Sequence, residues 1–259
     1  MFKTVFKIAK IFIWIKGQKK LLKKAKKFNT DGKIHERDEL VQNLVALWGK
    51  NVAQTIEADI TIKGKENIPK DEAVVFIANH QGYADIIAVL GFIDKPTAFI
   101  AKAEIKKLGF IAGWMELMQC VFIERKNMRQ SVQAMQQAIE NVKKGYSLLI
   151  FPEGTRSKGG PIKHFKPGSF KLAFNSKAPI VPITIDGTWR SFEEKKRLRP
   201  ANIILTIHPP VFTNEITKEE RHAIPQKVQH TIESALPKTS LRGEKEVLKI
   251  QARQDKKES

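Results

Sequence analysis

The sequence is poor in cysteine, because Cys120 is the only one among its 259 residues. A single thiol excludes an internal disulfide framework. Cys120 lies within the mostly apolar run 118–123, so we expect a buried thiol without a chemical role. Nothing in the cysteine usage therefore requires an oxidising compartment.

The sequence also lacks any run of about eighteen apolar residues, the length that a helix needs to cross a bilayer. The longest uninterrupted apolar run near the N-terminus is 11–15, and Lys10 precedes it. A lysine cluster follows, where a secretory signal would carry a small-residue cleavage site. We therefore expect neither a spanning helix nor a secretory signal.

Acidic residues are absent from the first thirty positions, which carry ten lysines. The whole chain has a formal net charge of +19, so this segment holds ten of the nineteen excess positive charges. A charge excess of this size predicts an anionic partner, which can be nucleic acid, an acidic membrane or a phosphorylated substrate.

The same N-terminal segment has the pattern of amphipathic helices. The apolar face of the first consists of Phe2, Val5, Phe6, Ala9, Phe12 and Ile13, and that of the second of Leu21, Leu22, Ala25 and Phe28. The phase breaks near Gly17, and lysines cover the other faces. Apolar and lysine-rich faces predict helices that lie in the headgroup region of an anionic membrane. An alternative to membrane contact is that these helices pack on the body of the protein. A nucleic-acid-binding arm fits the pattern less well, because such arms are polar and arginine-rich.

Short apolar runs alternate with helical patterns along the rest of the chain. The predicted strands are 73–78, 97–101, 120–123, 147–151, 180–185 and 203–207, and the predicted helices are 36–56, 84–90, 128–143, 169–176 and 218–236. This alternation predicts an α/β fold, with a central, mostly β sheet flanked by helices. The strand order cannot be read from the pattern, nor can the side on which helix 36–56 packs, the body or the membrane.

A polar turn with the sequence NHQGYAD, residues 79–85, follows the first predicted strand. A histidine and an aspartate five residues apart across such a turn can fold back on each other. Asp85 can then accept one imidazole N–H of His80 and leave the other nitrogen to take a proton. Neither serine nor cysteine stands beside the pair, so His80 would activate a substrate hydroxyl directly. Taken alone, the spacing also fits a turn histidine and a helix-capping aspartate.

A second polar loop, with the sequence FPEGTRS at residues 151–157, follows the predicted strand 147–151. Pro152 and Gly154 favour a stiff turn. Arg156 suits bidentate binding of a phosphate. The Walker-type pattern Gly-x4-Gly-Lys-Ser/Thr is absent, so this is not a nucleotide phosphate loop of that class. Taken alone, the segment also fits a surface turn with a Glu–Arg pair.

Together the two loops resemble motifs of the bacterial 1-acyl-sn-glycerol-3-phosphate (lysophosphatidic acid) acyltransferase family of glycerolipid acyltransferases. Two further segments, FIER at 122–125 and VPIT at 181–184, resemble that family's other motifs and stand in the same order. Lys102 matches a basic position of the family, and Glu124 stands where aspartate is commoner. The resemblance covers about residues 60–190.

The resemblance implies transfer of a fatty acyl group from acyl-CoA or acyl-carrier protein to the sn-2 hydroxyl of 1-acyl-sn-glycerol 3-phosphate, giving phosphatidic acid for phospholipid biosynthesis. His80 and Asp85 would be catalytic. The substrate phosphate would bind Lys102, Arg125 and Arg156, and the site would be supported by Asn79, Glu153, Gly154 and Thr155. From site logic alone, Glu153 either bonds the acceptor or orients Arg156. We expect no metal, because the remaining histidines form no ligand pattern, and no cofactor beyond the acyl donor.

These expectations divide the chain into three parts. Residues 1–57 are assigned to a basic, amphipathic membrane-binding region, 58–237 to the acyltransferase catalytic domain and 238–259 to a charged tail. The expected partners are an anionic membrane surface, a lysophospholipid and acyl-carrier protein, with the protein peripheral on the cytoplasmic face and not bound to nucleic acid. Three alternatives stay open: another lysolipid acceptor, an acyl thioesterase, and a non-enzymatic membrane or nucleic-acid binder.

Overall fold

A computed structural model of the chain describes residues 2–124 and 127–237. The helices in these residues are α1 (Phe2–Gly17), α2 (Lys19–Thr30), α3 (Ile34–Ile56), α4 (Ala84–Phe92), α5 (Gly109–Leu117), α6 (Met128–Lys143), α7 (Lys171–Ser176) and α8 (Ile224–Ser234). The strands are β1 (Ala58–Lys63), β2 (Val75–Ala78), β3 (Thr97–Lys102), β4 (Val121–Ile123), β5 (Ser147–Ile150), β6 (Ile180–Asp186) and β7 (Ala201–Ile207). The predicted tail, 238–259, lies outside the described residues.

The seven strands form one sheet in the order β1-β7-β6-β2-β5-β3-β4. Strands β6, β2, β5, β3 and β4 are parallel to one another, whereas β7 runs antiparallel to β6 and β1 pairs with β7 in parallel. The predicted α/β fold with a central sheet is thereby confirmed. Because the five parallel strands end at the same edge, the loops that follow β2, β5 and β6 lie side by side.

Successive residues of the central strands point to opposite faces of the sheet, so the core has two layers. Ile77 and Leu148 belong to the layer covered by α6, α7 and α8, while Phe76 and Leu149 belong to the layer covered by α3 and α4. Every residue of β2 and β5 is buried, as is typical of parallel strands with helices on both faces. This burial explains why both strands are continuous apolar runs in the sequence.

Helices α3 and α4 approach each other at two glycines. A Cβ built on Gly49 would lie 2.5 Å from the Cα of Gly91, a distance that no side chain tolerates. The close approach fixes α4 on the body of the protein, with its first turn at the edge where β2 ends. It also shows that α3, which covers the predicted helix 36–56, packs on the body: Val52 and Ile56 are buried there.

Several sequence predictions were incomplete. Strand β1 and helix α5 were not predicted. Strand β1 lies at the sheet edge, and its residues alternate between half-buried and exposed, so it lacks the continuous apolar run of a buried strand. Helix α8 begins at Ile224, not at 218, because Pro225 occupies its first turn and a separate 3-10 turn, Glu220–His222, precedes it. Strand β2 begins at Val75, two residues later than predicted.

The two N-terminal helices differ in what their apolar faces contact. Leu22 and Ala25 of α2 are buried in a cluster with Trp114 and Leu117 of α5, so the apolar side of α2 packs on the body. All six residues of the predicted apolar face of α1 are exposed. Within the described residues, none of the helices combines the length and the apolar character that crossing a membrane requires.

The opposite side of α1 holds this helix on the body. The ammonium group of Lys7 pairs with the carboxylate of Glu57 at 2.7 Å, and the backbone N–H of Leu198 donates to Thr4 Oγ1 at 3.1 Å. Ile11 packs against the core layer of α3 and α4. Helix α1 is therefore docked along one side and presents the apolar residues of its other side to solvent.

Candidate active site

The candidate site forms where the loop after β2 meets the loop after β5. The backbone N–H of Ser157 donates to the carbonyl of His80 at 2.7 Å, and that of Lys158 donates to the carbonyl of Gln81 at 3.1 Å. Gly154 has a positive φ of 73°, which lets the second loop turn back toward the first. The two sequence motifs, about seventy residues apart, are therefore joined by backbone hydrogen bonds.

His80 and Asp85 are in direct contact. The imidazole Nδ1 lies 2.5 Å from Asp85 Oδ2, and the carboxylate of Asp85 is fully buried in the first turn of α4. This contact assigns the proton on the ring to Nδ1 and leaves Nε2 as the nitrogen that can accept a proton. Phe151 stacks on the imidazole, with ring centroids 4.0 Å apart and an interplanar angle of 12°, so the ring plane is also fixed.

Asp85 is held in place by three further donors. Its Oδ2 accepts the backbone N–H groups of Gln81 at 2.8 Å and Gly82 at 3.0 Å, and its Oδ1 accepts the hydroxyl of Thr188. Thr188 follows β6, which neighbours β2 in the sheet. It was missed in the sequence because it belongs to none of the motifs and lies 103 residues from Asp85.

Glu153 is buried between the two loops, with 3% of its surface exposed. Its Oε1 accepts the backbone N–H of His80 at 2.6 Å, and its Oε2 accepts the backbone N–H of Lys163 at 3.0 Å. Burial raises the pKa of this carboxyl to about 7; the two N–H donors act against that rise, and the nearby charge of Asp85 adds to it. Glu153 thus fixes the backbone at His80, a role that the sequence reasoning had not considered.

The raised pKa of Glu153 predicts a pH-dependent stability. The pKa of this carboxyl is near its ordinary value of 4.5 in the unfolded chain and about 7 in the folded chain, so the folded state binds the proton more tightly. We therefore expect the free energy of unfolding of the wild type, relative to Glu153→Gln, to fall by about 2–3 kcal/mol as the pH rises from about 5 to 8. Urea denaturation at the two pH values measures this difference, and a constant difference would contradict the prediction.

Arg156 lies beside the same turn, and Tyr83 and Glu193 are among its partners. Its guanidinium stacks on the ring of Tyr83 at 3.6 Å from the centroid, and its Nη1 donates to Glu193 Oε1 at 2.8 Å. The partner carboxylate is buried, whereas the side chain of Arg156 is 25% exposed. Sequence reasoning missed Glu193, because the lysine- and glutamate-rich stretch 193–196 has the composition of a solvated surface.

The remaining predicted site residues lie on different elements around His80. Asn79 exchanges two hydrogen bonds with the backbone of Ile185, at 2.8 and 2.9 Å, and so ties the loop after β2 to β6. Thr155 is half-buried in the second loop. Lys102 is exposed at the end of β3. Strand β5 lies between β3 and β2, so the distance from β3 to β2 across the sheet is about 10 Å. Arg125 lies outside the described residues.

An apolar cavity of about 130 Å³ lies behind α4, among α1, α3, α5 and β3. Ile86 of α4, directly after Asp85 in the chain, contributes to its wall, as do Trp114, Met115 and Met118. Trp114 and Met115 are also buried core residues. Among the described residues, no three His, Cys, Asp or Glu side chains are grouped so that they could hold a metal ion.

Comparisons with known proteins place this site in a family. The model of the protein family described as Acyltransferase matches residues 59–186, which include both loops. A probable 1-acyl-sn-glycerol-3-phosphate acyltransferase of Mycoplasma pneumoniae is 39% identical over 149 residues, 56% of this chain and 55% of that protein. The chloroplastic 1-acyl-sn-glycerol-3-phosphate acyltransferase LPAT1 of Arabidopsis thaliana is 36% identical over 155 residues, 59% of this chain and 43% of that protein. The chain thus spans about half the length of these two relatives.

A solved structure agrees with these relatives over a larger part of the chain. The crystal structure of the 1-acyl-sn-glycerophosphate (LPA) acyltransferase PlsC from Thermotoga maritima superposes with a TM-score of 0.77 at 29% identity. The superposition covers 90% of this chain and 94% of PlsC, so it extends beyond residues 59–186. By its motifs, its fold and its relatives, this chain belongs to the acyltransferase family that contains the 1-acyl-sn-glycerol-3-phosphate acyltransferases.

Proposed function

We propose that this protein transfers a fatty acyl group from an acyl thioester to the sn-2 hydroxyl of 1-acyl-sn-glycerol 3-phosphate, giving phosphatidic acid. The observation that carries the proposal is the contact between His80 and Asp85, a general base with a buried carboxylate partner. In the part of the chain that the structure describes, the imidazole is hydrogen-bonded to Asp85 and not to a serine or cysteine side chain, so we assign the role of nucleophile to the hydroxyl of the acceptor. The names of the similar proteins point to the same acceptor.

The contact between His80 and Asp85 supports the following proton transfers. His80 Nε2 takes the proton of the acceptor hydroxyl as the hydroxyl oxygen forms a bond to the thioester carbonyl carbon. The C–S bond then breaks, the thiolate leaves with the electron pair, and the imidazolium returns the proton to it. Asp85 stabilises the imidazolium between these steps, because its carboxylate accepts the Nδ1–H.

Arg156 is the residue that we assign to the phosphate of the acceptor. It lies in the same joined loops as His80, and its side chain is 25% exposed. A guanidinium carries five N–H donors in a fixed plane that matches a phosphate bidentately, and in this structure its Nη1 donates to Glu193. Binding of the charged headgroup then places the sn-2 hydroxyl beside the imidazole, which is catalysis by positioning. We assign Lys102 and Arg125 to the same phosphate as a second point of attachment.

The apolar cavity behind α4 supports a place for part of a fatty acyl chain. Its wall is almost entirely apolar, and one of its lining residues, Ile86, directly follows the catalytic aspartate in the chain. The donor in this proposal is acyl-CoA or acyl-carrier protein, and the chemistry at His80 is the same for both. No other cofactor takes part in the proposed reaction.

The function is tested by incubating the protein with labelled acyl-CoA or acyl-carrier protein and a panel of acceptors: lysophosphatidic acid, lysophosphatidylglycerol and glycerol 3-phosphate. Labelled phosphatidic acid, formed from lysophosphatidic acid at the highest kcat/KM, is the expected product. Transfer to another acceptor in preference would contradict the assigned substrate. Free fatty acid as the sole product would identify a thioesterase instead.

We further propose that the protein is peripheral on the cytoplasmic face of an anionic membrane and that α1 makes the contact. The exposed residues of the predicted apolar face of α1, together with exposed Ile8 and the neighbouring lysines, support this orientation. Since the apolar side of α2 is buried on the body, α2 contributes its lysines to the contact and not its apolar residues. An enzyme bound in this way would reach a lysophospholipid without extracting it fully into water.

Charged substitutions on the exposed side of α1 test this contact. We expect the double variant Phe6→Glu/Ile13→Glu to stay in the supernatant when phosphatidylglycerol vesicles are sedimented, whereas the wild type is pelleted with them. Phe6 and Ile13 are 68% and 70% exposed, so neither substitution disturbs the core. Met128→Glu/Val132→Glu on α6 is the matched control, because it adds the same two charges at positions that are 80% and 62% exposed and lie outside the N-terminal helices. Equal pelleting of the double variant and the wild type would refute the assignment to α1.

A further inference from the structure

Glu193 is a buried acidic residue that the proposed chemistry does not use. It is 3% exposed and lies beyond residues 59–186, the part of the chain that the family model matches. Removing a carboxylate from water is costly, and burial accordingly raises the pKa of Glu193. Such a group needs compensating donors, and the identity of those donors indicates its role.

Two donors to Glu193 come from the two loops of the active site. Its Oε1 accepts the backbone N–H of Tyr83 at 3.0 Å and Nη1 of Arg156 at 2.8 Å. Tyr83 lies between His80 and Asp85 in the chain, and Arg156 belongs to the loop after β5. One carboxylate oxygen therefore joins the turn that carries the general base to the cation assigned to the substrate phosphate.

The same contacts leave the guanidinium of Arg156 little freedom. The ring of Tyr83 covers one face of the guanidinium at 3.6 Å, and Glu193 holds one of its edges. On the other side, Gly82 leaves just enough room for the carboxylate, because a Cβ at this position would lie 2.6 Å from Glu193 Oε2. The turn thus fixes Glu193, and Glu193 together with Tyr83 fixes the plane of Arg156.

We propose that Glu193 is a positioning residue, which holds the guanidinium of Arg156 in the orientation that binds the phosphate of the acceptor lipid at a set distance from His80. This inference rests on the proposed function, in which Arg156 binds that phosphate. A long arginine side chain without such a partner samples many rotamers, and this freedom is lost on each binding event. Glu193 removes most of that loss before the substrate arrives.

A double-mutant cycle on Glu193 and Arg156 tests the inference. The measured quantities are the KM for lysophosphatidic acid, the KM for acyl-CoA, and the Kd of lysophosphatidic acid by calorimetry in detergent, which needs no turnover. We expect Glu193→Ala to raise the KM and the Kd for lysophosphatidic acid about tenfold, the size of one charge-assisted hydrogen bond, and to leave the KM for acyl-CoA unchanged. Glu193→Gln keeps an acceptor oxygen and should restore most of the affinity.

The decisive comparison is made in the Arg156→Ala background. If Glu193 acts through Arg156, Glu193→Ala should have no further effect on lysophosphatidic acid there, because interacting residues are not additive. An equal effect in both backgrounds, or a tenfold rise in the KM for acyl-CoA, would show that Glu193 only supports the fold and would overturn the inference. If Glu193→Ala does not fold, Glu193→Asp replaces it, because the shorter carboxylate cannot reach both donors.

The calorimetric measurement separates this inference from the proposed function. A wild type that binds lysophosphatidic acid with an affinity that falls in Glu193→Ala, but transfers no acyl group to it, would overturn the function and leave the positioning role intact. A wild type that acylates lysophosphatidic acid, with a Kd unchanged in Glu193→Ala, would leave the function intact and overturn the positioning role. A wild type that does not bind lysophosphatidic acid would overturn both.

Discussion

Replacing His80 by alanine is expected to lower kcat of the proposed acyl transfer by about 10²–10⁴-fold, the range for loss of a general base. The imidazole is the group in the two joined loops that both contacts a buried carboxylate and presents a second nitrogen for proton transfer. Without it, the acceptor hydroxyl must attack the thioester while still protonated. The KM for lysophosphatidic acid should change little, because the phosphate contacts assigned to Arg156 remain.

The His80→Ala variant should remain folded. The side chain of His80 is 20% exposed, and its removal leaves Asp85 with the backbone N–H groups of Gln81 and Gly82 and the hydroxyl of Thr188 as donors. No buried charge is therefore left without hydrogen bonds, which is the usual cause of severe destabilisation.

Steady-state assays of wild type, His80→Ala and His230→Ala, alongside thermal unfolding of all three, measure this effect. His230 is an exposed histidine on α8, so its substitution controls for the loss of any imidazole from the surface. Wild-type turnover in a folded His80→Ala protein would rule out His80 as the base. An equal loss in His230→Ala would show that the effect is not specific to the site.

The two loops of this site were found from the sequence because each is a short, contiguous motif at the end of a buried strand. Their mutual placement was not predictable by the same means, since it depends on the strand order, in which β5 and β6 flank β2. That order brings Thr188, at the end of β6, to Asp85. Local periodicity carries no information about which strands are neighbours.

Glu193 illustrates a second limit of sequence reasoning. The sequence does not distinguish a buried glutamate from a solvated one. The stretch 193–196 is charged throughout and shows neither the helical nor the strand periodicity of apolar residues that would indicate a buried face. The burial of Glu193 follows from tertiary contacts with Tyr83 and Arg156, which lie 110 and 37 residues away. The N-terminal helices show the reverse case: their amphipathic patterns were correct, yet the pattern alone did not tell that the apolar side of α2 is buried while that of α1 is exposed.

Replacing the carboxylate of Asp85 by an amide is expected to have the second large effect on the rate, and Asp85→Asn should lower kcat by about 10³-fold. The substitution preserves the shape of the side chain and removes its charge. Three donors converge on Oδ2, namely the imidazole Nδ1–H and the backbone N–H groups of Gln81 and Gly82, so an asparagine must place its carbonyl oxygen there. Its amide group then faces the hydroxyl of Thr188, which can accept a hydrogen bond.

Because this orientation of the amide keeps His80 in the same tautomer, the loss of rate in Asp85→Asn reports the charge itself. The imidazolium that forms during proton transfer would lose its buried counter-charge, whereas the neutral ground state would keep its hydrogen bond. Asp85→Ala is a poorer test, because it leaves two buried backbone N–H groups without an acceptor, at a cost of about 1–3 kcal/mol each.

The measurement compares kcat and the melting temperature of Asp85→Asn with those of Asp59→Asn, a control that removes the same charge from an exposed position on β1. We expect both variants to melt near the wild type and only Asp85→Asn to lose activity. Turnover of a folded Asp85→Asn within about threefold of wild type would mean that Asp85 serves as a cap for the first turn of α4 and that the imidazolium needs no counter-charge. A loss that matches that of His80→Ala, without a further loss in the double variant, would show that the two residues act as one unit.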